Sequence, residues 1–314
     1  MTIASERLPV LVHPTRRRAS LSVLLDRQSV FSWLMMALPL AFLAALVGYP
    51  FFYGILLSLE DRPVAHAGTF VGLKNFVTNV HDPVFWRVAL NTFVYTGVAT
   101  LLKMVGGLGL ALAMKQHFRM KNLVRALLLL PFIVPTVLST VAWLWMLDPA
   151  FSVVNRLLVA LGWPKPGPSW LGDPTLAMVS IIIINTWRGL PFYGITLLAG
   201  LQTVPSELYE AASMDGAGGW ERFRFITLPL LRPIIVVATA TRIIWTFNYA
   251  DLIFVMTGGG PANATQITSS YTLLQAYSSL DFGYAGALSV VLLVVMLVFT
   301  WAYLRITKGV EEVE

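Results

Sequence analysis

A run of 30 residues without a charged side chain, Val30 to Leu59, constrains this chain more than any other feature. About 20 apolar residues in a helix cross the hydrocarbon core of a bilayer, whereas a cleavable signal peptide has an apolar core of about 7–15 residues. The run therefore predicts a transmembrane helix. Of the 314 residues, 57% are hydrophobic and only 12% are charged. Because soluble domains carry about 25% charged residues, this composition excludes an ordinary soluble enzyme.

The same test finds five further apolar stretches, three of which contain one internal basic residue. They are Val88–Met114 with Lys103, Ala126–Leu147, Leu176–Gly200 with Arg188, Pro233–Met256 with Arg242, and Phe282–Leu304. We expect an all-α membrane protein with six transmembrane helices. The predicted six-helix domain covers residues 30–306, between tails at 1–29 and 307–314.

Lysine and arginine are distributed unevenly between the two sides of this topology. With the N-terminus inside, 14 of them fall on cytoplasmic segments and 5 in outer loops. The positive-inside rule then places both tails in the cytoplasm of a multi-pass protein. The net charge of +6 is thus interpreted as a topology signal, and we expect a lipid environment and no nucleic-acid partner.

Several kinds of catalytic and metal site are missing from the sequence. The absence of cysteine removes disulfides and thiolate metal sites. No GxxxxGK[ST] loop, GxSxG elbow or HExxH helix occurs, so we expect neither ATP hydrolysis by this chain alone nor another enzyme activity. The four histidines lack metal-ligand spacing, and we expect no metal and no cofactor in the chain; they are His13, His66, His81 and His117.

The most informative segment lies between the fourth and fifth predicted spans, at residues 204–229. Pro205 and Ser206 suit a helix start, and Glu207 in the first turn favours the helix dipole. The string GAGG from Gly216 permits a sharp turn. A second short helical face follows before Pro229. The pattern predicts a small helix–turn–helix presented to the cytosol.

The residues of this segment resemble the EAA loop of the permeases of binding-protein-dependent ABC importers. The resemblance rests on the string EAASMDG and on the later ITLP. In that family the loop docks into a cytoplasmic ATPase, which implies a coupling role for nine positions: Glu207, Glu210, Ala211, Ala212, Asp215, Gly216, Ala217, Leu228 and Pro229.

The resemblance extends over residues 70–304. The strings FVGLKNF, LLLPFIVPTVLSTVAWLWML, TWRGLPFYGITLLAGLQTVP and DLIFVMTGGGPANATQ are similar to carbohydrate-uptake permeases of the maltose and glycerol-phosphate type. This implies a type I importer permease fold in the inner membrane of a bacterium or archaeon. It also implies four kinds of partner: a second related permease, two ATP-binding subunits that hold ATP and Mg²⁺, an extracytoplasmic solute-binding protein, and a sugar as substrate.

Polar residues inside the predicted spans are candidates for substrate contact, because charged groups in a bilayer are costly and mark functional sites. They recur at helical spacing in the third, fourth and fifth spans. By position they resemble the substrate-lining residues of the maltose-type permease, and they are Phe132, Thr136, Asn185, Arg188, Gly189, Phe192, Arg242, Thr246, Asn248 and Tyr249. Amides, hydroxyls and guanidinium groups suit sugar hydroxyls, and the aromatic rings suit the apolar face of a sugar ring.

Three alternatives stay open at the level of sequence. Two arginines could receive an anionic sugar derivative with a sulfonate, carboxylate or phosphate group, or Arg242 could pair with Asp251. Lys103 is interpreted as snorkelling or as part of an internal pair. An ion-coupled secondary transporter would require inverted repeats, which the sequence does not show.

Overall fold

The structure is a computed structural model that describes residues 28–63, 68–116 and 119–308, where it is almost entirely helical. Most of both predicted tails, together with His13, His66 and His117, lies outside the described residues. The helices are α1 (Gln28–Leu43), α2 (Tyr49–Ser58), α3 (Lys74–His81), α4 (Pro83–Lys115), α5 (Lys121–Ile133), α6 (Thr136–Leu147), α7 (Val153–Ala160), α8 (Pro174–Thr203), α9 (Ser206–Met214), α10 (Gly219–Arg222), α11 (Leu228–Phe247), α12 (Ala250–Met256), α13 (Thr268–Tyr277) and α14 (Phe282–Lys308).

Short elements complete the described fold. Strands β1 (Glu60–Asp61) and β2 (Thr69–Phe70) pair antiparallel, with Glu60 opposite Phe70. Turns of π-helix at Ala44–Gly48 and Phe223–Thr227 join α1 to α2 and α10 to α11. The chain divides into two compact units, Met1–Tyr53 and Gly54–Glu314, of which the first is described only from residue 28 and consists of helix.

Five helical stretches in the described residues are long and apolar enough to cross a membrane, and a bent pair makes a sixth. They are Phe31–Ser58, Pro83–Lys115, Pro174–Thr203, Gly219–Phe247 and Phe282–Thr307, with Lys121–Ile133 and Thr136–Leu147 as the bent pair. The predicted all-α membrane architecture is confirmed. We call the end of the spans that carries residues 204–229 the loop end, and the other the opposite end.

Two long spans begin at an Asp-Pro pair. The Asp82 side chain accepts a hydrogen bond from Val84 N at 2.8 Å, and Asp173 caps α8 in the same way. The proline that follows each aspartate has no N–H to satisfy in the first turn, and its fixed φ suits a helix start. These local signals explain why α4 begins at Pro83, before the predicted Val88, and α8 at Pro174, before the predicted Leu176.

Helices α4 and α8 form the largest helix contact of the fold. A Cβ added to Gly107 would lie 2.2 Å from the Tyr193 Cβ and 3.2 Å from the Gly194 backbone, so only glycine allows this approach. Tyr193 is fully buried there. Gly106 faces Leu190 across the same contact, whereas Gly109 faces open space.

The third predicted span is not continuous but bends by 94° between α5 and α6. Pro135 causes the break, because the residue before a proline is disfavoured in the helical region, and Val134 accordingly has an extended ψ of 131°. The Val134 carbonyl is therefore released from the helical pattern. The single helix predicted over Ala126–Leu147 is wrong in this respect.

The fifth span also differs from its prediction at both ends. A continuous helix runs from Gly219 to Phe247 and stops there, and α12 follows as a separate helix. The second short helical face predicted before Pro229 is present, but it continues into the span and does not end as a separate helix. The π-helical turn ends with Leu228 N bonded to Phe223 O, and Pro229, which has no N–H to donate, follows directly after this turn.

A compact hydrogen-bonded group at the opposite end ties three helices together, and we call it the Asp82 cluster. Asp82 Oδ2 accepts from the hydroxyls of Tyr271 at 3.1 Å and Tyr284 at 2.7 Å, while Oδ1 caps α4. Burial, with the neighbouring carboxylate as the second cause, raises the pKa of Tyr271. The cluster holds the start of α4 against α13 and α14.

Candidate functional site

A cavity of about 120 Å³ lies among α4, α5, α8 and α11, well inside the spans. Its lining combines cations, amide and hydroxyl groups, and aromatic rings, and none of the lining residues is acidic. The lining residues are Lys103, Phe132, Asn185, Arg188, Gly189, Arg242, Trp245, Thr246 and Tyr249.

Two cations of this cavity are buried but use few of their hydrogen-bond donors. The Lys103 ammonium donates to Thr246 Oγ1 at 3.2 Å, and its side chain is 2% exposed. Arg242 Nη2 donates to the Gly189 carbonyl at 3.3 Å, whereas its Nε is buried without a partner. The two ion pairs found among the described residues lie elsewhere, so both charges lack a carboxylate. Such donors are available to a ligand rich in acceptors.

Three aromatic rings surround the Arg242 guanidinium. Its central carbon lies 4.2 Å from the Phe192 ring centroid, 5.4 Å from that of Trp245 and 5.8 Å from that of Phe132. Cation–π attraction of this kind stabilises a desolvated guanidinium. The rings also supply the apolar surface of the cavity.

Arg188 differs from the other two cations because protein groups satisfy it. Its Nη1 donates to the Val134 carbonyl and to Ser139 Oγ, each at 2.9 Å. These acceptors lie on either side of the break in the third span. Arg188 therefore braces the bend and satisfies the carbonyl that Pro135 releases.

Two further contacts connect the cavity walls. The Tyr249 hydroxyl donates to Thr136 Oγ1 at 3.2 Å, which links the break after α11 to the break before α6. The Asn185 amide donates to the Tyr95 hydroxyl, while its buried carbonyl oxygen has no partner. Asn185, which lines the cavity, thus holds a buried acceptor that has no partner.

The structure brings together most of the residues predicted to contact substrate. Seven of the ten line the cavity; Thr136 and Phe192 touch lining residues, as described above. Asn248 is the exception, because it lies on a separate cavity of about 340 Å³ beside Met296, and its amide bonds to the Ile244 carbonyl. Sequence analysis missed Trp245 and did not assign Lys103 to this site.

The expected alternatives for the internal cations can also be compared with the structure. Lys103 does not snorkel but forms an internal hydrogen bond and reaches the cavity. Arg242 does not form an ion pair with Asp251, which is exposed on α12. A pairing based on a continuous helix fails because α11 ends at Phe247.

A second candidate region is the segment of residues 204–229 at the loop end. Helix α9 ends in a Schellman motif, in which Ala217 N bonds to Ala212 O at 2.8 Å and Gly216 N to Ser213 O at 3.1 Å. Gly216 has a φ of +82°, which L side chains rarely adopt. The predicted sharp turn is thus confirmed.

Side-chain contacts fix α9 against the start of the fifth span. The hydroxyls of Tyr209 and Thr227 lie 3.0 Å apart, and the Lys115 ammonium lies 4.2 Å from the Tyr209 ring centroid. The acidic side chains of Glu207, Glu210 and Asp215 remain exposed. The segment is therefore a rigid, acidic projection joined to a transmembrane helix. The other predicted coupling residues lie on it as well, with Ala211, Leu228 and Pro229 exposed and Ala212 and Ala217 half-buried.

Residues 104–312 match the family described as "Binding-protein-dependent transport system inner membrane component". The chain belongs to this family. The matched range contains both candidate regions, apart from Lys103. Membership makes the chain a multi-pass membrane protein and confirms the resemblance found in the sequence.

Two relatives within this family have informative names. The chain is 38% identical over 240 residues to the trehalose/maltose transport system permease protein MalF of Thermococcus litoralis, covering 76% of this chain and 80% of the relative. It is 38% identical over 239 residues to the sulfoquinovosyl glycerol transport system permease protein SmoG of Agrobacterium fabrum, covering 76% and 77%. Both relatives are named as permease proteins of transport systems.

A solved structure matches the family fold. A chain from a bacterial ABC transporter for import of the acidic polysaccharide alginate superposes with a TM-score of 0.78 at 22% identity, covering 91% of this chain and 97% of that one. A likeness at this identity concerns the fold. It confirms the type I importer permease fold for the described helices.

Proposed function

We propose that this chain is the permease subunit of an ATP-driven ABC importer that moves a sugar or sugar derivative across the membrane. The cavity carries this proposal, because its lining brings three cations, amide and hydroxyl groups and aromatic rings together between the spans of an importer permease. That combination suits sugar hydroxyls and the apolar face of a sugar ring. The relatives named for trehalose, maltose and sulfoquinovosyl glycerol support it.

The nine predicted residues that line or adjoin the cavity, with Lys103 and Trp245 added, form this chain's half of the substrate path. The cavity is about 120 Å³, whereas pockets for small molecules usually measure about 300–1,000 Å³. A second, related permease would complete the site across a shared interface. This explains why one chain alone encloses too little space for a disaccharide.

The acidic segment of residues 204–229 is our candidate for coupling to ATPases. Two cytoplasmic ATP-binding subunits would dock on it and hold ATP and Mg²⁺, so this chain itself would need no cofactor. An extracytoplasmic binding protein would deliver the sugar at the opposite end. This arrangement requires both tails and the loop end in the cytoplasm, in agreement with the positive-inside distribution of charge.

The coupling proposal is tested with the full complex in proteoliposomes that contain ATP. Glu210→Lys reverses an exposed charge, and Gly216→Val imposes a side chain on a left-handed backbone at a cost of about 1–2 kcal/mol. We expect both variants to lose ATP-dependent uptake of radiolabelled sugar and to lose ATPase during affinity purification. Ser279→Ala, an exposed change at the opposite end, is the control. Full uptake and full assembly in both variants would refute the coupling role.

An anionic sugar derivative is a second candidate substrate, favoured by one observation. Lys103, Arg188 and Arg242 line one cavity that contains no carboxylate. Unlabelled uronic, sulfonated and phosphorylated sugars should then compete with uptake better than neutral disaccharides do. An ion-coupled secondary transporter is disfavoured by the family; it would require uptake by this chain alone without ATP.

A further inference from the structure

Helix α7 turns an apolar stripe outward, which is the reverse of the usual arrangement for a helix beside water. Val153, Leu157 and Leu161 are 50%, 62% and 85% exposed, and Ala160 is exposed as well. These positions follow helical spacing and form one face. Arg156 is the only charged residue of the helix and lies on the same face.

The opposite face of α7 is polar at its centre and fixed to the protein. Ser152 caps the helix by accepting from Asn155 N at 3.0 Å. The Asn155 amide donates to the Pro168 carbonyl at 3.1 Å, and its oxygen accepts from Trp170 Nε1 at 2.7 Å. Asn155 is buried and bonded on this face, so α7 is held in one orientation and the apolar stripe faces outward.

The position of α7 in the chain places it at a membrane boundary. It lies between the end of α6 at Leu147 and the start of α8 at Pro174, both of which are ends of apolar spans. It also packs against α6. Trp145, near the end of α6, is 72% exposed, so an exposed apolar surface is present on the spanning helix as well.

The chemistry of the stripe favours lipid over water or a polar protein surface. Interfacial helices combine an apolar face with basic residues and tryptophan, which sit at the level of the lipid headgroups. Here Arg156 lies on the stripe, and Trp163 and Lys165 follow it, all exposed.

We propose that α7 is an interfacial anchor, whose stripe of Val153, Leu157, Ala160 and Leu161 inserts into the lipid boundary at the opposite end of the spans. Arg156 and Lys165 would contact headgroup phosphates. The anchor would hold α6, the half-span that follows the bend, at a fixed depth. This role depends on the chain being membrane-embedded and not on the identity of the transported substrate.

The natural absence of cysteine makes a direct test practical. Leu157→Cys and Leu161→Cys are labelled with an environment-sensitive fluorophore in the purified full complex and placed in nanodiscs containing lipids with a nitroxide near the headgroup. Ser279→Cys, exposed at the same end, is the matched control. We expect severalfold stronger quenching at Leu157 and Leu161 than at Ser279, together with a blue-shifted emission.

Other occupants of the stripe give different results. Quenching equal to that at Ser279 in both variants would overturn the proposal. Labels that become protected only when the binding protein is added would also overturn it, and would assign the stripe to that protein. Because uptake is measured on the same variants in proteoliposomes, loss of lipid quenching with normal transport is distinguishable from failure of the proposed importer function.

Discussion

The cavity and the Asp82 cluster are both polar groups inside an apolar fold, but they differ in how completely their atoms are paired. In the Asp82 cluster, one carboxylate accepts two tyrosine hydroxyls and a backbone N–H. Among the residues that line the cavity, Arg242 Nε and the Asn185 oxygen are buried without partners, and no carboxylate in the described part of the chain pairs with the cations.

We interpret the paired Asp82 cluster as a group that holds the fold and the incompletely paired cavity residues as a group that binds a ligand. An unpaired buried polar group costs about 1–3 kcal/mol, so a fold tolerates it where binding requires it. Removal of a paired group should therefore reduce stability, whereas removal of an unpaired group should reduce transport.

Asp82→Ala should cause the largest loss of stability. It removes a helix cap and the acceptor of two buried hydroxyls, which together contribute about 2–4 kcal/mol. We expect a clearly lower melting temperature of the detergent-purified complex, with uptake per folded complex unchanged. An unchanged melting temperature would show that the cluster is not structural. Asp82→Asn keeps one acceptor oxygen, so its melting temperature should lie between those of the wild type and Asp82→Ala.

Arg188→Ala should reduce both stability and transport, because the Arg188 guanidinium lines the cavity and also bonds to protein groups. Its loss leaves the Val134 carbonyl without a donor at the bend, at a cost of about 1–3 kcal/mol. We expect a lower melting temperature together with reduced uptake. Arg188→Lys should recover part of the stability, since a single ammonium can reach one of the two acceptors. A purely substrate-binding Arg188 would leave the melting temperature unchanged.

Arg242→Ala should separate transport from stability most clearly. The variant removes a desolvated charge that has one long hydrogen bond, so the melting temperature should remain near that of the wild type. Uptake should fall about tenfold or more, which corresponds to about 1.4 kcal/mol or more. Radiolabelled uptake and thermal unfolding are measured on the same preparation. A large loss of stability with normal uptake per folded complex would reverse our assignment.

Thr92→Val should have the smallest effect. Thr92 Oγ1 accepts from Thr268 N at 2.9 Å and joins α4 to α13, and valine preserves the shape of the side chain. We expect a loss of about 1 kcal/mol, read as a small fall in melting temperature with normal uptake. A loss of uptake without a loss of stability would place Thr92 in the transport path.

Much of the fold was predictable because the deciding signals are local. The apolar runs predicted the spans, and Gly216 predicted the sharp turn after α9. The breaks were harder, because Pro135 is visible in the sequence but the structure that satisfies the released carbonyl is not. That carbonyl bonds to Arg188, which lies more than 50 residues later.

The candidate site was predictable where helical spacing holds and not beyond it. Arg242 and Thr246 face the cavity as their spacing on α11 indicates. Asn248 follows the end of that helix, where periodicity no longer decides the direction of a side chain, and it lies on another cavity. Lys103 was not assigned to the site, because only the packing of α4 against α11 shows that the Lys103 ammonium reaches Thr246.

Protection of a cavity cysteine by sugar shows whether the transported sugar occupies the cavity. Phe132→Cys is introduced into the cysteine-free chain, and its rate of maleimide modification is measured in the full complex with ATP and sugar-loaded binding protein. Asn248→Cys, on the separate cavity, is the control. We predict that the transported sugar slows modification at position 132 severalfold and leaves position 248 unchanged. Equal rates at position 132 with and without a sugar that the complex transports would contradict the account.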